Sequence, residues 1–275
     1  MDKLLFGPAG VPLSAKDRST VGGVKEVANL GLGCMEIEFV RGVRMSEKIA
    51  KEVQKVAKEK GVVLTVHAPY FINLNSSEKD KVKASIQRIL DSAHIGAICG
   101  AKFVTFHAAY YGKDDPKDVY KRVKNALKEI VKIIKDKGWD IEIRPETTGK
   151  ISQFGTVDEL IKLAHEIDTK PCIDFAHIYA RSLGEFNGYD KFNELIDKLE
   201  KELGKEFLKE MHIHLSGIEY GKSGETKHTP VKESNFKWKD VLKVLKEREI
   251  CGVVISESPI LEQDALLMQN EYKRL

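Results

Sequence analysis

The sequence predicts an α/β fold, a single (β/α)8 or TIM barrel over residues 1–275, on three observations. Eight short apolar runs of strand length recur along the chain. Longer stretches with helical spacing of apolar residues separate them. From the third run onward each carries His, Asp or Glu at or next to its end, where a barrel of this kind keeps its chemistry.

The runs are residues 4–7, 34–39, 62–67, 103–107, 141–146, 171–174, 211–215 and 253–257. Helical spacing follows the second run at Ile49, Val53, Val56 and Ala57, and the third at Ile86, Leu90 and Ala93. It follows the fourth at Val123, Leu127, Ile130 and Ile134, and the fifth at Leu160, Leu163 and Ile167. Phe192, Leu195 and Leu199 continue the pattern after the sixth run, and Val241 and Leu245 after the seventh. Gly61, Gly100 and Gly138 fall where helices must stop before the next strand. Strands alternating with helices in this way read as a barrel or an open doubly wound sheet. The open sheet is disfavoured, because its G-x-G-x-x-G fingerprint is absent after the first run, where the chain has only GPAG. A barrel takes about 250 residues, so one domain accounts for the length.

Hydrophobic residues make up 42% of the chain, enough for a sizeable core, and 45 basic against 42 acidic residues leave a formal charge of +3. That balance announces no general nucleic-acid binder, yet it permits a local basic groove. Cys34, Cys99, Cys172 and Cys251 form no C-x-x-C pair and lie in apolar stretches, so they read as buried, reduced thiols. There is no signal-peptide pattern and no apolar run near the ~20 residues that a membrane helix needs. The expectation is a cytoplasmic protein with no membrane partner and, lacking an exposed apolar stripe, a monomer.

The strand ends carry the chemistry. They supply His67 in LTVHAPY, His107 in VTFHAAY, Glu146 in IRPETTG, and Asp174 with His177 in CIDFAH. His212 and His214 follow in HIHLSG, Glu257 in ISESP, and His228 in the loop segment ETKHTP. Carboxylates converging on one mouth repel and raise one another's pKa unless cations neutralise them. Imidazole with carboxylate is a ligand set that suits zinc, with manganese and iron as competitors. One tetrahedral ion cannot use so many groups, so two or three ions are implied. His94 and His165 lie inside helical patterns and read as structural. His212, two residues before His214, faces the same side but deeper, which suits packing or support better than ligation.

In order along the chain, VHAPYFINL, FHAA, PETTG, IDFAH, HLSG, KHTPVKESNF and SESP resemble the endonuclease IV family (AP endonuclease family 2) of the xylose isomerase-like barrel superfamily. The resemblance implies zinc, up to three ions, and hydrolysis of the DNA backbone 5′ to abasic sites by a metal-activated hydroxide. Its partner would be double-stranded DNA carrying abasic or damaged sites. Position by position, it implies a first ion on His67, His107 and Glu146. A second ion would share Glu146 and add Asp174, His214 and Glu257, and a third would use His177 and His228. Glu146, as the bridge, and Glu257 would be the catalytic carboxylates. Two bridged cations suffice in principle to activate a shared water.

One departure stands out. The family pattern D-x-H is here Thr226-Lys227-His228. Either Glu225 replaces the missing carboxylate, or the third site is weaker, or Lys227 supplies positive charge in place of an ion. For DNA, Tyr70 and Phe71 resemble the family's pair that inserts into the duplex, and Arg41 and Arg44 in FVRGVRM are candidate phosphate or stacking contacts. Tyr110, Tyr111 and Arg181 could widen that surface. The competing reading is a sugar isomerase or epimerase of the same superfamily, working on one or two ions, with Glu36 and Glu38 of the second strand lining its pocket. A non-catalytic binding module is disfavoured, since nothing structural requires so many ionisable groups in one mouth.

Overall fold

Eight parallel strands close on themselves in the computed structural model, which describes residues 1–275. They are β1 (Leu4–Pro8), β2 (Cys34–Glu38), β3 (Val63–His67) and β4 (Phe103–Phe106), then β5 (Glu142–Pro145), β6 (Cys172–Asp174), β7 (Met211–Leu215) and β8 (Gly252–Ser256). Strands β2 to β5 pair in chain order, and β6, β7, β8 and β1 do the same. Two single bridges, Ala9 with Glu36 and Glu146 with Cys172, join these halves into a ring. At the first seam a Cβ on Gly7 would lie 1.7 Å from the Cys34 carbonyl oxygen, so only glycine lets the two backbones approach.

The helices are α1 (Thr20–Asn29), α2 (Glu47–Lys60), α3 (Lys79–Cys99), α4 (Pro116–Asp136), α5 (Val157–Glu166), α6 (Phe175–Arg181), α7 (Tyr189–Leu203), α8 (Lys205–Leu208), α9 (Trp238–Glu247) and α10 (Glu262–Arg274). Side-chain oxygens of Ser19, Ser46, Asp115 and Thr156 accept from the first free amides of α1, α2, α4 and α5. Gly61 and Gly100 end α2 and α3 in the left-handed conformation, as their positions in the sequence predict. The expected strands are right in number and order. Their last residues differ: His107, Glu146 and Glu257 each lie one residue past the end of the strand, at the start of the loop.

Apolar packing is divided unevenly. One cluster of 69 buried residues fills the layer between strands and helices, whereas the apolar residues inside the barrel are few: a separate cluster of Cys34, Val253 and Ile255, and Phe103, whose ring lies against Arg144 and His212. The rest of the interior belongs to polar and charged groups, among them Glu36, Thr65, Arg144, His212 and His214. Cys34, Cys99 and Cys172 are buried free thiols, but Cys251 is only partly covered, contrary to expectation. No helix is long and apolar enough to cross a membrane.

Two antiparallel additions were not anticipated. Ala109–Tyr110 pairs with Gln153–Phe154, and a hairpin of Gly217–Gly221 with Gly224–Thr229 folds over the mouth after β7. The hairpin docks on the loop after β5 through backbone bonds from Glu225 N to Gly149 O and from Ile151 N to Ser223 O.

Candidate metal centre

At the carboxyl ends of the strands the expected residues converge on Glu146. Its Oε2 stands 3.4 Å from His67 Nε2 and 3.3 Å from His107 Nε2. Its Oε1 stands 3.0 Å from His177 Nδ1 and 3.3 Å from His214 Nδ1. His214 Nδ1 also faces Glu257 Oε1 at 3.4 Å. Asp174 ends β6 and caps α6, accepting from the His177 amide at 2.7 Å, so one residue both contributes a carboxylate and aims the next imidazole.

Three groups of potential ligand atoms result, each with every atom within 4.8 Å of the others: His67, His107 and Glu146; Glu146, Asp174, His214 and Glu257; and His177, His228 and Glu257. The first two are the sets that the resemblance implies, with Glu146 common to both. The third adds Glu257, which was expected only at the second ion.

The ring nitrogens are directed from outside. His67 Nδ1 donates to the Ala68 carbonyl at 2.7 Å, so in the neutral ring Nε2 keeps its lone pair toward Glu146. His177 Nδ1 lies 3.0 Å from the Thr147 carbonyl and His228 Nδ1 lies 2.7 Å from Ser216 Oγ. Their Nε2 atoms meet at 3.2 Å. Two ring nitrogens at that distance suit a shared proton or a shared cation.

The departure at Thr226 has a geometric answer. In the hairpin Glu219 pairs with Lys227 and Tyr220 with Glu225, so Thr226 is the unpaired residue of a β-bulge. The bulge turns Glu225 to the same side as His228. Its oxygens stand 3.6 Å from His177 Nε2 and 3.7 Å from His228 Nε2. Gly149 makes the room, since a Cβ there would come within 2.7 Å of the Glu225 side chain. Lys227 does not supply charge to the site: it is exposed and pairs with Glu219 at 3.2 Å.

Electrostatics show what the groups need. Burial opposes ionisation of Glu146, yet the neighbouring His214 and His107 hold its carboxyl well below the usual range. Burial likewise opposes Glu257, and His214 again outweighs it. For Asp174 burial dominates and pushes the carboxyl well up. Burial pulls the His67 imidazole down, but the carboxylates of Glu146, 3.4 Å away, and Glu38 leave it at about 10. Meanwhile both oxygens of Glu146, Asp174 Oδ2, Glu257 Oε2 and His214 Nδ1 are buried without a hydrogen-bond partner. Unpaired buried polar atoms are costly, and divalent cations are the partners that this mixture of oxygen and imidazole nitrogen fits.

The remaining expectations divide. Tyr70 and Phe71 are exposed, 56% and 61%, at the rim beside His67, and Arg41 and Arg44 are both exposed after β2. Arg181 is not a free surface cation: its guanidinium is spent on Thr148 Oγ1 and on the carbonyls of Lys150 and Gln153, bracing the loop after β5. Tyr111 is tied inward by its hydroxyl to Glu159. His94 stacks on Trp139 with ring centroids 4.8 Å apart, and His165 pairs with Glu202, both away from the centre. His212 faces inward below His214, as predicted. Two residues beside the site were not placed there from the sequence. Glu36 lies under His214, and Ser216 orients His228; the signal for Glu36 was a charged residue on the buried face of an apolar strand.

A cavity of about 490 Å³ opens over the three groups, with His67, Tyr70, His107, Gln153, His228 and Glu257 in its wall. A larger groove of about 960 Å³ at the opposite end of the barrel holds lysines and no imidazole. Its lysines Lys60, Lys246 and Lys273 sit in or beside the last turns of helices, where cations complement the helix dipole. Volume therefore does not locate the site; chemistry does.

Fold and site together define a closed (β/α)8 barrel with a candidate metal centre at its carboxyl-terminal mouth. A family model described as xylose isomerase-like TIM barrel matches residues 24–272, and the chain belongs to that family. An uncharacterized protein of Methanocaldococcus jannaschii is 47% identical over 272 residues, covering 99% of this chain and 98% of that one. A protein of Mycoplasmopsis pulmonis named probable endonuclease 4 is 27% identical over 231 residues, covering 81% of this chain and 79% of its own. Among solved structures, endonuclease IV from Thermus thermophilus superposes with a TM-score of 0.74 at 20% identity, over 97% of this chain and 98% of that one. A D-tagatose 3-epimerase-like protein superposes with a TM-score of 0.73 at 22% identity, over 97% and 96%. The structural likenesses share the fold with nucleases and sugar epimerases alike. Relatives in sequence include proteins named probable endonuclease 4.

Proposed function

We propose that this protein is a metal-dependent phosphodiesterase that hydrolyses the DNA backbone 5′ to abasic sites. The observation that carries the reading is the set of three adjoining ligand groups joined through Glu146 and Glu257. A sugar epimerase working on one or two ions has no use for the third group, whereas a phosphodiester presents several oxygens that need neutralising together. His67, His107, Glu146, Asp174, His214 and Glu257 would hold two ions, and His177, His228 and Glu225 would complete a third position. Zinc suits these donors, with manganese as the alternative. Bound there, the ions would supply Lewis acidity, an activated water and charge neutralisation of the phosphate.

The chain's own groups do the rest. Glu146 would serve both of the first two positions, since it belongs to both ligand groups. The Ala68 carbonyl and Ser216 hold His67 and His228 by the nitrogen turned away from the centre. The hairpin brings Glu225 and His228 against His177, where the third position would lie. Tyr70 and Phe71 project from the rim, where a stacking or wedging side chain would meet a duplex, and Arg41 and Arg44 lie where phosphates could be met.

The second reading, a sugar epimerase, draws on Glu38. Burial pushes its carboxyl up to about 8, it lies in the cavity wall, and one of its oxygens is buried without a partner. One assay separates the two. The protein is incubated with zinc or manganese and an abasic duplex, and in parallel with a panel of ketoses. Strand scission that is abolished by chelator and by Glu257→Gln supports the nuclease. Absence of scission with every metal, or isomerisation of a ketose instead, refutes it.

A further inference from the structure

Beneath the candidate ligands lies a carboxylate that none of the three groups uses. Glu36, on β2, is fully buried inside the barrel. Thr65 Oγ1 donates to its Oε2 at 2.7 Å, and His212 Nε2 stands 2.8 Å from the same oxygen. His214 Nε2 stands 2.9 Å from its Oε1. Two hydrogen bonds, from Thr65 and His212, hold the carboxylate in place, and the His214 ring close to its other oxygen favours its charged form. Both ring nitrogens of His214 face carboxylates, but Nε2 stands nearer to one, 2.9 Å against 3.3 Å and 3.4 Å for Nδ1, so in the neutral ring the hydrogen belongs on Nε2. Nδ1 then keeps its lone pair and points at Glu146 and Glu257, 3.3 Å and 3.4 Å away.

We propose that Glu36 is the positioning residue of the centre: it holds His214 in the tautomer that presents Nδ1 to the ion shared with Glu146, Asp174 and Glu257. His212 is its clamp and not a ligand. This rests on the metal-centre reading and not on the identity of the substrate. An imidazole without such a partner can carry its proton on the wrong nitrogen or turn its ring, and either removes a ligand. Cys172, His212 and His214 also lie close enough together to suggest a separate ion. That arrangement is disfavoured, because Glu36 occupies the Nε2 atoms of both imidazoles and an ion below would draw His214 Nδ1 away from the carboxylates above.

Partners of this kind typically change metal affinity by roughly 10- to 100-fold when removed. The test is zinc titration of the metal-free chain against a chromophoric chelator, for wild type, Glu36→Gln, His212→Gln and Thr65→Val. Glu36→Gln is expected to weaken one zinc per chain by roughly 10- to 100-fold and leave the others unchanged. His212→Gln should weaken the same zinc by a smaller factor, and Thr65→Val least of all. Metal-free Glu36→Gln should unfold within a few degrees of metal-free wild type. Wild-type affinity for every zinc in Glu36→Gln, or equal weakening of all of them, overturns the proposal. If Glu36→Gln does not fold, His212→Gln decides, and unchanged zinc affinity in it overturns the proposal equally. Wild type that takes up no zinc defeats the metal centre itself, whereas wild type that binds zinc but cleaves no DNA defeats only the nuclease.

Discussion

Replacing Glu146 with alanine should empty two ion positions at once. Its two oxygens face different partners, His67 and His107 on one side, His177 and His214 on the other. No other carboxylate belongs to both of the first two ligand groups. A structural zinc site binds with roughly 10–16 kcal/mol over four ligands, so one ligand carries roughly 3 kcal/mol. At about 1.4 kcal/mol per tenfold, that is a loss of about 10² in affinity for each of two ions. The assay is elemental analysis of protein equilibrated at fixed free zinc, with the melting temperature measured with and without chelator. Wild type should lose stability on chelation, because an ion bound only by the folded state adds to it. Glu146→Ala should hold about two fewer ions and respond less to chelator. Full metal content in Glu146→Ala, or loss of a single ion with the other untouched, would refute the bridging argument.

Three further outcomes are expected. Glu225→Ala should weaken the third position without disturbing the first two, whereas Thr226→Asp should leave metal content unchanged, since Thr226 is exposed on the bulge; elemental analysis reads both. Truncating Tyr70 or Phe71 to alanine should lower affinity for an abasic duplex by roughly 1–3 kcal/mol each if they stack on bases, while zinc content stays constant; fluorescence anisotropy measures this. The third is pH. His67 is raised to about 10 from an ordinary value of 6.5, so its proton stabilises the metal-free fold below pH 6.5, and that contribution is lost as pH rises through 10. Ligation needs the unprotonated ring, so zinc affinity should rise with pH over the same window and binding near neutrality should release protons. Calorimetry in buffers of different ionisation enthalpy counts the protons, and a His67→Asn variant that releases as many as wild type would show that His67 is not a ligand.

The barrel was legible because its two periodicities are written in different residues. Short apolar runs mark strands enclosed on both faces, and helical spacing marks their cover. His67, His107, Glu146, Asp174, His214 and Glu257 stood out because each interrupts an apolar run at its carboxyl end. Helix α1 was not legible, since Gly22 and Gly23 dilute its apolar stripe, although Ser19 caps it. The hairpin has a turn signal in Gly221-Lys222-Ser223-Gly224, but its strands are rich in Gly, Glu and Lys and lack the apolar alternation that marks a strand. The role of Glu225 was one of three alternatives, because bulges belong to strand pairing and not to any single strand. Glu36 was read as a wall of a sugar pocket. Of its actual neighbours, Thr65 is 29 residues away and His212 is 176, with His214 beyond it. Only closure of the barrel brings them together.

The bulge at Thr226 bears on how such sites can be compared. Along a plain strand, residues at even separations share a face, so a carboxylate and an imidazole that act together are expected two apart. One unpaired residue reverses that parity, and Glu225 and His228 come together at a separation of three. A fixed interval between functional residues is therefore one solution among several. What has to persist between relatives is the direction of the side chain, and a hairpin can keep the direction while its sequence gains or loses a residue.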